Sequence, residues 1–576
     1  MGIKRKIGHV DVDRSKEDRN RRYRYRQAKL SAYTETGQAE LSIEVPLQRS
    51  YTGGRHDVIP CSLADTPCAT LGVWGLLNGL NVTLGTSRTS RELHTILEDF
   101  IERNYDFGTA YALLRPVWDI ENPSSIQDEL RRREGEDREC RQKALEGNRI
   151  VNTYLRPRRV WDLYSNRVVP SWIIRNEKSP FSLWPTPISH AWVDEKDRVD
   201  VRTPINGKEW PVPIPKDADL NLIRIEMLNL GAEYAWLDVL CLRQKEEGGP
   251  REDMRVEEWR LDVPTIGRLY NAGILGKVVI YLSGLGRPLR LKDGDLDSDR
   301  NWFRRAWTLQ EVGDERIIAG DTPDGPMHAQ RIDGRGYETA LLSRFHKELD
   351  SVKRGAGYIF AVLAHMQKRV STNLVDRVAG LAFPLQPYVL PAYHESETLE
   401  DAWTALVNAM VPGMQAPFLL VYPGVGLGCK KWRPTWDQVM TEPLPKDVNK
   451  LYAYVHHDDE TGEDWFDGQC IEKGYVRGFD VESVEGRDRC GELVVKAANG
   501  IAYTFKIRVT HRFPIPEDTY TLLGDTVWSD QWAIGRRLPD QRFEKVSVIV
   551  MDDLNDEERQ KLKDLILVAR SRHVLV

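Results

Sequence analysis

A chain of 576 residues exceeds what one hydrophobic core supports, so several compact units are expected. Its 41% hydrophobic and 29% charged residues point to an ordinary soluble protein and away from a disordered one. A net charge of -6 and scattered cysteines without a CxxC pair argue against nucleic acid as the main partner, a zinc site or a disulfide framework; a reducing, cytoplasmic setting is expected.

Residues 1–30 form a basic arm, densest at Arg21–Arg26. Tyr23 and Tyr25 would suit stacking on bases, but Asp11, Asp13, Glu17 and Asp18 favour a solvated, poorly ordered terminus. Residues 31–180 read as helical. Leu71, Trp74, Leu77 and Leu80 recur at helical spacing, as do Leu93, Ile96, Leu97 and Ile101. Thr66–Ser87 is uncharged and long enough to span a bilayer, yet Asn78, Asn81 and its glycines predict a buried helix and no membrane partner. Gln127–Gly147 predicts a charged, mostly exposed helix, and Pro157, Pro170 and Pro180 punctuate a connector.

Residues 181–330 alternate strand and helix. Strands are expected from Thr186 to Ser189-His190, and at Tyr234–Leu242, Lys277–Gly284 and Glu315–Gly320. Helices are expected at Asn221–Leu230, from Asp262 onward with Pro264 in the first turn, and over Asn301–Val312. That alternation builds a doubly wound parallel α/β sheet. Residues 331–415 return to helix, and residues 416–576 become α+β. Their clearest signal is a hairpin turned on Asn499-Gly500, and a helix is expected over Asn555–Arg570. His456-His457-Asp458-Asp459 reads as a solvated turn, and no metal site is predicted.

In such a sheet, ligands bind beyond the carboxyl ends of the strands at the switch point. This places Ser189, His190, Ser283 and Gly284 at a candidate site, with Gly284 and Gly286 able to bring backbone amides near a phosphate. On a helix, Arg304, Trp307 and Glu311 would share one stripe. Trp302, Phe303 and Trp307 read first as core, Cys241 as packing, and Asp238 as a buried carboxylate that lines the site and needs a hydrogen-bonding partner.

Ser189-His-Ala-Trp192, Trp236–Gln244 and Trp302–Glu311 resemble, in order and spacing, the three motifs of the fungal heterokaryon-incompatibility (HET) domain. His190 stands where the family commonly has Tyr, and Val193 where it has Gly. The resemblance covers Pro185–Gly320 and implies a flavodoxin-like sheet similar to Toll/interleukin-receptor (TIR) domains. Trp307-Thr-Leu-Gln-Glu311 resembles the TIR Trp-Cys-x-x-Glu motif, with Thr308 in place of Cys. By that resemblance Glu311 is catalytic, and Ser189, His190, Trp192, Asp238, Ser283, Gly284, Arg304 and Trp307 bind NAD. NAD would be a substrate, with no tightly bound cofactor. The implied role is self/non-self recognition and programmed cell death, by NAD cleavage on self-association through the HET domain. The alternative is a non-enzymatic module that recruits a partner protein.

Overall fold

The computed structural model describes residues 58–174, 184–246, 249, 251–272, 277–287, 294–313, 315–320, 358–385, 387–448, 451–481, 488–524, 530–551, 554–565 and 568–576, together with the short pieces 30–31, 50–51, 327–328, 344, 347–348 and 350–351. The arm expected before Leu30 and the helix expected at Tyr337–Leu349 lie wholly or mostly outside these residues. The chain divides into two units, Met1–Glu146 with Tyr154–His346, and Gly147–Thr153 with Lys347–Val576.

The first unit opens with helices Cys68–Leu84, Ser90–Glu102 and Phe107–Leu114. Cys68–Leu84 buries Leu76, Leu77 and Leu80 but leaves Trp74 75% exposed, so only one face of the uncharged helix is covered. No helix among the described residues is long and apolar enough to cross a membrane. Ile126–Ala144 is the expected charged helix; it buries only Ile126, Leu130, Arg141 and Ala144.

A mixed sheet follows: β1 (Arg159–Asp162), β2 (Arg167–Pro170), β3 (Thr186–His190), β4 (Tyr234–Trp236), β5 (Lys277–Tyr281), β6 (Glu315–Ile318) and β7 (Met327–His328). Its order is β7-β6-β5-β3-β4-β1-β2. β3, β4, β5 and β6 run parallel. Across the sheet these four lie in the sequence β6, β5, β3, β4, so the first parallel strand of the chain is flanked by the second and the third. Ile188, Ser189 and His190 on β3 and Val278–Tyr281 on β5 are all buried, as strands covered on both faces must be. β1 and β2 come from the segment read as a connector. Val160, Trp161 and Asp162 are buried in succession, so no alternation marks the strand. Arg115 secures this edge, with its guanidinium 3.0 Å from Asp162 and 4.6 Å from the Tyr164 ring centre.

Three expected elements change. Asp262 does not cap a helix that carries Pro264 in its first turn: it ends the helix Glu252–Asp262, and the next helix starts at Ile266. β4 stops at Trp236, and Asp238–Cys241 is one turn of helix instead of a continuing strand. The expected helix over Asn301–Val312 is two 3₁₀ turns, Trp302–Arg304 and Trp307–Leu309. Asn301 caps the first, Arg305 is extended (φ -86°, ψ 136°), and the Thr308 hydroxyl donates to the carbonyls of Trp302 (2.5 Å) and Arg305 (2.8 Å). Those side-chain bonds replace α-helical ones.

In the second unit, helices Ile359–Gln367, Leu399–Ala409, Pro412–Leu420 and Trp436–Thr441 precede the strands; the last carries a capping box from Thr435 and Gln438. The strands are β8 (Val455–His457), β9 (Asp464–Arg477), β10 (Arg489–Lys496), β11 (Ala502–Val509), β12 (Asp518–Gly524), β13 (Gln531–Arg537), β14 (Phe543–Val550) and β15 (Val568–Leu575). The antiparallel path β9-β10-β11-β14-β13-β12 returns to β9 and closes a barrel. β9 also pairs with β8 and β15. Ile471, Leu493, Phe505, Leu522, Trp532 and Ile549 belong to the apolar core formed by these strands. The β10–β11 hairpin turns at Asn499-Gly500, with Gly500 at φ 83°. Ala497 and Ile501 close a three-residue loop instead of the expected two-residue one, and Ile501 is 53% exposed. The final helix ends at Leu565, and β15 takes up the chain beyond it. On β14, Lys545 is buried and donates to the carbonyls of Phe418 and Tyr422, both at 2.6 Å, near the C-terminus of Pro412–Leu420. Burial holds its pKa well below the usual lysine value.

Candidate functional site

The carboxyl end of β3 carries two consecutive buried polar residues, Ser189 and His190. Consecutive strand residues project to opposite sides, so the pair can serve two different partners. Ser189 Oγ donates to Glu311 Oε2 at 2.5 Å and itself accepts from Trp302 Nε1 at 2.7 Å. His190 Nε2 lies 2.8 Å from Asp238 Oδ1. Asp238 also accepts from the backbone amide of Val239 (2.8 Å) and from Trp192 Nε1 (3.2 Å). The His190 and Trp192 rings stack with centroids 5.8 Å apart.

Ending β4 at Trp236 puts Asp238 beyond the carboxyl end of the strand, not inside the sheet as expected. Asp238 is only partly buried, not fully as expected, and the partners that hold its oxygens are His190, Trp192 and Val239. Burial alone would lower the pKa of His190, but the charge and hydrogen bond of Asp238, the Ala191 carbonyl and the charge of Glu311 together raise it above the ordinary histidine value. Burial likewise pushes Asp238 up, and the His190 charge and hydrogen bonds overcome this and lower it. An imidazolium satisfies both neighbours of the ring, with Nε2 facing Asp238 and Nδ1 3.3 Å from the Ala191 carbonyl. Tyr270 donates to the Ile188 carbonyl at 3.2 Å; burial, then Glu311 and Asp238, raise its pKa well above the usual tyrosine value.

Of the residues expected at the site, Ser189, His190, Trp192, Asp238 and Glu311 are brought together. Arg304 faces elsewhere, its guanidinium 3.1 Å from Asp299, as an ordinary exposed pair would be. With no α-helix over 301–312, the shared stripe of Arg304, Trp307 and Glu311 does not exist; Trp307 is half-buried in the second 3₁₀ turn. Ser283 and Gly284 lie in the turn after β5. Gly284 has φ +116°, and a Cβ there would come within 2.9 Å of Val193 Cγ1. Gly286 has φ +71°, and its Cβ would sit 3.2 Å from Ile223 Cδ1. The turn and its own packing therefore account for both glycines. Trp302, read from sequence as core, and Tyr270 are the additions. A buried indole N–H needs an acceptor, and that requirement was the available signal for Trp302.

Two further polar groups complete the surroundings. Glu226, on helix Leu220–Asn229, accepts from the Tyr281 hydroxyl and from the Gly320 amide (3.1 Å), tying together the carboxyl ends of β5 and β6. Gln310, beside Glu311 in the chain, is 2% exposed, and neither its Nε2 nor its Oε1 has a hydrogen-bond partner among the described residues. Leaving a buried amide unsatisfied costs about 1–3 kcal/mol. Gln310→Met, of similar volume, is therefore expected to stabilise the protein by roughly 1 kcal/mol or more in denaturant unfolding. A loss of stability would mean that the amide is satisfied in solution.

No group of metal-ligating side chains occurs among the described residues. No family model, curated protein or solved structure matches the chain.

Proposed function

We propose that residues 181–330 form a HET-type domain with a TIR-like, flavodoxin-type sheet, and that Glu311 acts there in cleaving the N-glycosidic bond of NAD. The observation that carries the proposal is the join between Glu311 and Ser189. It places a carboxylate at the carboxyl end of β3, whose neighbours are the second and third parallel strands. That is the switch point at which doubly wound sheets bind ligands. A carboxylate there suits the ribose hydroxyls and the oxocarbenium-like transition state. As the C1′–N bond breaks, its electron pair neutralises the pyridinium and nicotinamide leaves. Water then adds to C1′ and gives its proton to solvent, leaving ADP-ribose. Self-association through this domain would complete the site and couple cleavage to a self/non-self signal that ends in cell death.

The occupied state of the carboxylates favours a second reading. Ser189 holds one oxygen of Glu311, and three donors surround Asp238, so both can serve the fold of a non-enzymatic recruiting module. Incubating the purified protein with NAD, dilute and then concentrated or crowded, separates the two. Nicotinamide release that rises faster than protein concentration supports the enzyme. No release under any condition overturns it in favour of the recruiting module.

A further inference from the structure

Ser189 bridges the indole of Trp302 and the carboxylate of Glu311, with its hydroxyl accepting from one and donating to the other. Ser189 is 1% exposed and Trp302 is fully buried, so the bridge is fixed by packing on both sides. A serine hydroxyl has one proton to donate. The Trp302 N–H occupies one lone pair of the oxygen, and the bond to Glu311 uses that proton. Ser189 is thereby committed to the carboxylate and has no proton left for a ligand.

We propose that Ser189 is a positioning residue, and that the chain from the Trp302 indole through the Ser189 hydroxyl fixes the orientation of the Glu311 carboxylate and favours its charged form. The inference rests on the reading of Glu311 as the acting carboxylate. It goes beyond that reading by assigning Trp302 and Ser189 a role through Glu311 and removing Ser189 from ligand contact. Chains of hydrogen bonds polarise one another, so an indole N–H bonded to the hydroxyl oxygen makes that hydroxyl a better donor to a carboxylate. Trp302 and Glu311 belong to one short segment that lacks α-helix, and the two 3₁₀ turns let both side chains reach the same serine. Among the described residues, the titratable groups that feel the charge of Glu311 include His190 and Tyr270.

The test uses the full chain and variants Ser189→Ala, Ser189→Thr and Trp302→Phe, each confirmed by circular dichroism to be folded. The first measurement is infrared difference titration of the Glu311 carboxylate, identified by its absence in Glu311→Gln. Losing a hydrogen bond to the charged form should make the Glu311 band titrate about one pH unit higher in Ser189→Ala, less in Trp302→Phe, and near wild type in Ser189→Thr. The second is the pH profile of nicotinamide release. Its acidic limb should move by the same amount, with kcat falling roughly tenfold and KM unchanged in Ser189→Ala. An unmoved Glu311 band in Ser189→Ala overturns the proposal, whatever the activity. A shifted band in a protein that releases no nicotinamide upholds the positioning role and overturns the NAD reading. A rise in KM with kcat unchanged would make Ser189 a ligand contact and also overturn the proposal. Trp302→Phe bears on the indole link only if it folds; Ser189→Ala and Ser189→Thr decide the remainder without it.

Discussion

Glu311→Gln is expected to reduce nicotinamide release from NAD by at least about 10²-fold while leaving the fold unchanged. The amide oxygen of Gln can still accept from Ser189, so the bond that anchors the side chain survives. What is lost is the negative charge needed as positive charge develops on the ribose. Arg304→Ala makes a matched control, because Arg304 is engaged with Asp299 and is expected to leave activity within about twofold, the scale of a surface pair. Equal release from wild type and Glu311→Gln would remove Glu311 from the chemistry.

The second large effect is expected at the other carboxylate. Asp238→Asn leaves the His190 imidazolium, 5% exposed, without its counter-charge. Asp238 is itself 24% exposed, so the loss should be about 2–3 kcal/mol, toward the lower end of the range for a broken buried pair. The effect depends on pH. The folded-state pKa of His190 is raised, so its contribution is full below the unfolded value of about 6.5 and is lost as pH rises through the folded value. That of Asp238 is lowered, so its contribution is full above about 3.8 and is lost as pH falls through the folded value. The stability difference between wild type and Asp238→Asn should thus be greatest between about pH 4 and 6.5 and shrink toward alkaline pH. Urea unfolding at pH 5.5 and pH 9 measures it. A difference that grows at pH 9 would show that His190 is neutral in the fold.

The central strands were legible because they are buried on both faces. Val278–Tyr281 and Ile188–His190 stand out as short runs bounded by turn residues, and the helix at Leu220–Asn229 follows from its apolar spacing. Asp238 was legible as a carboxylate within an apolar run, and Glu311 through the resemblance of Trp307–Glu311 to the TIR motif. The partners were not readable, because they depend on where two elements end. An apolar run from Tyr234 to Leu242 fits strand and buried helix equally well, and the change at Leu237 leaves no mark in hydrophobicity. Over Asn301–Val312 the aromatic spacing imitates an α-helix, while Asn301 and Thr308 divert the backbone through their own hydrogen bonds. The edge strands β1 and β2 were hidden for a related reason. Arg167 is fully engaged with Asp65 and Asp106, so it is buried where a charged residue signals solvent.

The barrel of the second unit has a consequence for biosynthesis. β9 is the strand on which four others depend, and its first half waits for β15, where Asp464 faces Leu575. A nascent chain that has emerged only as far as β14 holds β9 with that side unpaired, whatever its hairpins have already formed. Contacts so distant in sequence carry a large loop-closure cost and form slowly. The ribosome must therefore release β15 before β9 can complete its pairing. Until then the exposed backbone of β9 is the place where a chaperone, or a second nascent chain, would find a strand to bind.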